Sequence, residues 1–169
     1  MSTSSIPPRR SFSGVRPRGP LVLVVEGEDS LRELYAAELA AAGFFVLEAA
    51  DGAAAIDKAH QFGPQAVVLE LEIEGVDGLR VARRLRADDR TQDIAIVALT
   101  SSSRKFGTIG LAAGCDSVLR KPVLAAALIG ELIRLIARRA HINRLASAHP
   151  TLPDAEEVEG PDEAEGGER

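Results

Sequence analysis

Four polar side chains each follow directly on an apolar run: Glu26 after residues 21–25, Glu70 after 66–69, Thr100 after 94–99 and Lys121 after 117–120. Two carboxylates, a hydroxyl and an ammonium form a vocabulary for handling phosphoryl groups. Acids hold a divalent cation, one carboxylate acts as nucleophile, and the hydroxyl and ammonium donate to phosphoryl oxygens. The plainer account is that strand ends are wet and collect polar residues. Four such residues in the same position of four successive runs argue for a shared site.

The elements that must position them are short and strongly apolar. Val67-Val68-Leu69 before Glu70, like Leu21 to Val25 before Glu26, is a continuous β-branched run of the kind found in strands buried on both faces of a helix-covered parallel sheet. Strands are expected over 21–25, 44–48, 66–71, 94–99 and 117–120. Between them helices are expected over 31–42, capped by Asp29 or Ser30 and stopped at Gly43, then over 53–62, 79–86 and 104–113, and last over 124 to about 140. Gly107 and Gly110 make the fourth helix the weakest. Arg80, Arg83, Arg84 and Arg86 read mostly as the wet side of the third. The last is amphipathic, with Leu124, Leu128, Leu132, Leu135 and Ile136 on one side. Ile142 and Leu145 continue its spacing, and this extension either docks on the body, pairs two chains as a homodimer, or frays.

Five strands alternating with five helices imply an α/β fold, a doubly wound five-stranded parallel sheet of order 2-1-3-4-5. In that order strands one, three and four are central, and their carboxyl ends meet at the topological switch point where such sheets place their sites.

Composition bounds the function. The chain has 169 residues, 46% of them hydrophobic and 4% aromatic, so its core must be aliphatic. The net charge of -5 is unevenly spread: residues 1–20 carry four arginines and no acid, and residues 154–169 carry eight acids against Arg169. Between them, 17 acids face 15 bases, which offers no broad nucleic-acid footprint, and no nucleic-acid partner is expected. The single cysteine, Cys115, excludes an internal disulfide and suits a reducing compartment. No apolar stretch approaches a membrane span, so a cytoplasmic protein with no membrane insertion is expected. The expected organisation is a disordered basic segment over 1–19, one domain over 20–140, and a C-terminal extension with an acidic disordered tail over 141–169. His60, His141 and His149 have no metal-ligand spacing.

Val24-Val25-Glu26-Gly27-Glu28, the stretch from Pro64 to Gly78, Leu99-Thr100-Ser101, Ala113-Gly114-Cys115-Asp116 and Lys121-Pro122 together resemble the receiver domains of two-component response regulators, which share the flavodoxin-like fold of the chemotaxis regulator CheY. The resemblance covers about residues 20–140. It implies that Glu70 stands at the phosphoacceptor position, Glu26 and Gly27 at the paired metal-binding acids, and Thr100 and Lys121 at the phosphate-contacting positions. It also implies a usually cis proline after the lysine, and Val118 at the aromatic switch position.

The departures matter as much as the matches. The phosphoacceptor of the family is Asp, and Glu extends the carboxylate by about 1.5 Å. Displacements near 1 Å can cost on the order of 100-fold in an aligned reaction. Gly27 supplies no carboxylate, Glu74 replaces the loop proline, and Mg²⁺ tolerates little distortion. Glu26, Glu70 and Lys121 sum to -1, so no cofactor is expected and Mg²⁺ binds only weakly if at all, through Glu26 and Glu70; Glu28 is the one candidate to stand in at 27. Two arrangements remain open. Either Glu70 meets Lys121 and the Thr100 hydroxyl where a phosphoryl group would sit, or Glu70 points to water while Lys121 pairs with Glu26.

The expected function is a stand-alone, atypical receiver without enzymatic activity. It would bind signalling proteins, a histidine kinase or a downstream regulator among them, independently of phosphorylation. The alternative is a receiver that accepts a phosphoryl group from a histidine kinase at an unusual site.

Overall fold

The computed structural model describes residues 19–72, 77–102 and 105–148. The expected N-terminal segment and acidic tail lie outside them, apart from Gly19 and the helical residues up to Ala148. The loop position Glu74 lies outside them as well.

The chain alternates β1 (Leu21–Val25), α1 (Asp29–Ala41), β2 (Phe45–Ala49), α2 (Gly52–Phe62), β3 (Ala66–Glu70), α3 (Gly78–Arg86), β4 (Ala95–Thr100), α4 (Lys105–Ala112), β5 (Ser117–Arg120) and α5 (Ala125–Ala148). The strands pair in the order β2-β1-β3-β4-β5, every pair parallel. This is the doubly wound, flavodoxin-like sheet that the alternation of apolar runs requires, because parallel neighbours need helical crossovers that cover both faces.

Successive side chains on a strand face opposite ways, and the core divides accordingly. Leu23, Val25, Val67, Leu69, Ile96 and Ala98 pack with residues of α2 and α3 on one face. Val22, Val24, Val68, Val97 and Leu99 pack with Tyr35 and Leu39 of α1 and with Leu128, Leu132 and Leu135 of α5 on the other. β3 and β4 are buried along their whole length, so their only outlet toward solvent is at their ends.

Helix ends show where local signals hold and where they shift. Asp51 caps α2 by accepting from the Ala54 amide at 2.8 Å, and Gly63 closes it in the left-handed region at φ 60°. Asp77 caps α3 through the Leu79 amide at 3.0 Å. In α1 neither expected cap acts. Glu28 occupies the N-cap without a side-chain capping bond, Asp29 is already helical and pairs with Arg32, and the Ser30 hydroxyl donates to Glu28.

Two amphipathic assignments are also revised. Leu124 precedes α5 and is 78% exposed; its carbonyl accepts from the Ala127 and Leu128 amides, so it opens the helix and does not join its buried face. Arg86 does not share the wet face of Arg80, Arg83 and Arg84, which are exposed; it turns inward to four acceptors. α5 also passes residue 140 without a break, keeping 141–148 helical, with Ile142 and Leu145 exposed.

The start of α3 is pressed against the end of β3. A Cβ on Gly78 would lie 2.3 Å from the Glu70 carbonyl oxygen and 2.7 Å from the Leu71 Cα, both backbone atoms that cannot step aside. Gly78→Ala is therefore expected to lower stability by about 1–3 kcal/mol through overpacking, read as a lower urea midpoint. A midpoint unchanged from the parent would show that this junction is looser than its geometry.

Candidate functional site

The carboxyl ends of β1, β3, β4 and β5 open into a cleft of about 570 Å³, lined among others by Glu26, Gly27, Glu28, Glu70, Glu72 and Lys121. Strand pairing sets its walls. The Glu26 amide donates to the Ala49 carbonyl at 3.1 Å, the Leu71 amide to the Leu99 carbonyl at 2.9 Å, and the Lys121 amide to the Thr100 carbonyl at 2.9 Å. Arg32 on α1 donates to the Glu26 carbonyl at 2.9 Å and so fixes the turn that comes after β1. The Lys121–Pro122 peptide bond is cis.

Lys121 reaches both strand-end acids. Its Nζ donates to Glu26 Oε2 at 2.7 Å and to Glu70 Oε1 at 2.5 Å. Glu26 is 2% and Glu70 9% exposed, so one ammonium serves two nearly buried carboxylates. Burial pushes Glu26 up, but hydrogen bonds to Glu70, to Lys121 and to the Glu28 amide outweigh it and hold its carboxyl below the usual range. Glu70 goes the other way. Burial and then the adjacent Glu26 raise it to about 7, with Lys121 only partly offsetting them. Lys121 is raised because the two glutamates overcome the cost of its burial. As pH falls through about 7, Glu70 therefore takes up a proton that an ordinary carboxylate would not yet hold, leaving one charged acid facing one ammonium.

Each open arrangement is half realised. Lys121 does not choose between Glu26 and Glu70, and Glu70 does not point to water. The Thr100 hydroxyl, however, does not meet Glu70: it donates to Glu72 Oε1 at 2.7 Å. Glu28 does not turn into the position left by Gly27, since its carboxylate accepts from Ser30 at 2.6 Å and only its amide reaches Glu26, at 3.1 Å. Val118 lies away from the cleft, half-buried against the core under α4. Glu72 is a site residue that the sequence reasoning misses, although a signal exists: it stands two residues after Glu70, the spacing that returns a side chain to the same face of an extended chain.

A family model described as the response regulator receiver domain matches residues 22–133. The chain belongs to this family. It is therefore a receiver of the kind used in two-component signalling. It is 31% identical over 128 residues to the DNA-binding dual master transcriptional regulator RpaA of Synechocystis, covering 75% of this chain and 53% of that protein. It is 34% identical over 152 residues to the transcriptional regulatory protein TrcR of Mycobacterium tuberculosis, covering 85% and 58%. This chain thus spans little more than half the length of these curated relatives. Among solved structures, it resembles the receiver domain of the sensor histidine kinase PA1611 of Pseudomonas aeruginosa, described with a magnesium ion coordinated in its active-site cleft. That match has a TM-score of 0.66 and 28% identity, and covers 70% of this chain and 98% of that one.

These relatives correct one expectation. Charge balance argued against nucleic acid, yet RpaA is a DNA-binding regulator. A near-neutral receiver carries no information about DNA contacts made elsewhere in such a protein, so the exclusion fails. Of membranes, the structure shows only that no helix among the described residues is long and apolar enough to cross one.

The residues of this cleft do not fit a magnesium site well. Position 27 has no side chain, Glu26 and Glu70 already share the Lys121 ammonium, and among the described residues no three His, Cys, Asp or Glu side chains gather in a metal-holding arrangement. Mg²⁺ demands near-ideal octahedral oxygen geometry, and an ammonium between the two acids supplies a competing positive charge.

Proposed function

We propose that this receiver works in two-component signalling as a protein-interaction module independent of phosphorylation, the two acids of its cleft bridged from within by Lys121. The observation that carries this reading is the double contact of Lys121 Nζ with Glu26 and Glu70. A carboxylate held at hydrogen-bonding distance by an ammonium is a poor nucleophile, and Glu70 places its acid one methylene beyond the aligned position. The domain then binds and does not catalyse, and it presents one steady surface in the cytoplasm. The names of RpaA and TrcR support an output in transcriptional control, with DNA contacted by a segment or partner outside the receiver.

Incubation with Mg²⁺ and acetyl phosphate, followed by intact-mass measurement, tests this. No phosphoryl adduct is expected on the parent chain or on Glu70→Asp, since Gly27 still supplies no ligand. Glu70→Asp combined with Gly27→Asp is expected to label. A Mg²⁺-dependent adduct on the parent would favour the phosphotransfer reading instead, and strong labelling of the single variant would show that Gly27 is not limiting.

A further inference from the structure

The cleft holds two polar units with separate partners. Glu26, Lys121 and Glu70 form one, across β1, β3 and β5. The other joins the segment after β3 to the turn after β4: Glu72 Oε1 accepts from the Thr100 hydroxyl at 2.7 Å and from the Ser102 amide at 3.1 Å, and that amide also lies 3.1 Å from Thr100 Oγ1. One carboxylate oxygen thus gathers a side-chain donor and a backbone donor from the same turn.

Thr100 is 3% exposed, so its hydroxyl needs a protein acceptor. It has a single hydrogen to donate; given to Glu72, that hydrogen is unavailable to Glu70. The two acceptors are mutually exclusive, and the structure shows Glu72 as the one in use. The contact is charge-assisted and joins an exposed carboxylate to a nearly buried hydroxyl. The turn leads into the helix least able to hold itself, since α4 contains Gly107 and Gly110 within eight residues.

We infer that Glu72 is the positioning residue of the turn that follows β4 at Ser101 and Ser102. Its carboxylate keeps Thr100 and Ser102 drawn toward Glu72 from within the chain. This deepens the proposed function, resting on it only in treating that turn as part of the surface a partner meets. The state of the surface is then set by Glu72, and the Glu70 side of the cleft can change without moving it.

Amide hydrogen exchange on the full chain, read by NMR, tests the assignment. Because Glu72 is exposed, its substitution leaves the core intact, and circular dichroism confirms the fold. Glu72→Ala is expected to raise exchange at the Ser102 amide by about tenfold or more, the effect of losing a charged hydrogen bond, and to shift the Thr100 methyl resonance. Glu72→Gln, whose amide oxygen accepts the same two donors, is expected to keep most of the protection. Glu70→Ala is expected to leave Ser102 within about twofold of the parent while disturbing Lys121. The inference is overturned if Glu72→Ala leaves Ser102 as protected as before, or if Glu72→Gln loosens the turn as far as alanine does. Equal loosening by Glu70→Ala would also overturn it. Phosphoryl labelling of the parent chain would defeat the proposed function without changing any of these exchange rates, so the two failures are distinguishable.

Discussion

Lys121→Met is expected to lower the unfolding free energy at pH 8 by about 3–5 kcal/mol, the usual cost of removing one partner from a buried ion pair. Methionine keeps most of the apolar stem, so the loss isolates the ammonium. Glu26 and Glu70, at 2% and 9% exposure, would face each other with nothing between them. The effect must shrink as pH falls toward 5, because the orphaned carboxylates can then take protons. The parent carries a related signature. Glu70 is raised from the ordinary 4.5 to about 7 by burial and by Glu26, so between those values the folded chain binds more protons than the unfolded one, and stability rises as pH falls through that window. The rise is on the order of 3 kcal/mol for a shift of this size. Below it Glu26 takes over. Its carboxyl is held low, so its contribution is present above the unfolded value near 4.5 and is lost as pH drops further. Urea denaturation at pH 5, 6, 7 and 8 checks both claims. Glu70→Gln should flatten the slope between pH 5 and 8, and a parent equally stable at every pH would refute the shared-ammonium account.

At the other end of the strands, Arg86→Ala is expected to cost about 3–5 kcal/mol. Arg86 donates from Nε to the Gly114 carbonyl at 2.8 Å, from Nη1 to the Gln92 and Ile94 carbonyls at 2.8 and 2.6 Å, and from Nη2 to Asp116 at 2.6 Å. Asp116 in turn accepts from the Ile96 amide at 2.8 Å and from Arg139 at 2.7 Å. One guanidinium therefore ties α3 to the start of β4 and to the turn before β5, and through Asp116 to α5. Arg86→Lys is expected to recover less than half of the loss, because a single ammonium cannot span the fork of acceptors that a planar guanidinium meets. The phosphodonor result should be the same in both variants, since this cluster lies at the opposite end of the sheet from the cleft. A urea midpoint within experimental error of the parent for Arg86→Ala would show that water replaces these donors at little cost.

Much of the molecule was legible in one dimension. The runs before Glu26, Glu70, Thr100 and Lys121 announced strands buried on both faces, and their alternation with helical spacing left a parallel sheet as the consistent arrangement. Those are local signals: a strand repeats every two residues and a helix every 3.6, so short windows suffice. The convergence of Glu26, Glu70 and Lys121 followed from strand order alone.

Side chains with long reach were decided differently. Lys121 took both glutamates, Thr100 took Glu72, Arg86 turned inward and Leu124 turned out. None of these outcomes has a periodicity. For Lys121, Thr100 and Arg86 the outcome depends on which acceptors the neighbouring strand ends and turns bring within about 3 Å, distances that exist only once segments 28 to 95 residues apart in the chain have come together. The sequence by itself determined the sheet and the mouth at its edge; the folded packing alone determined which donor in that mouth answers which acid, because a hydrogen bond is sensitive to fractions of an ångström that sequence spacing does not encode.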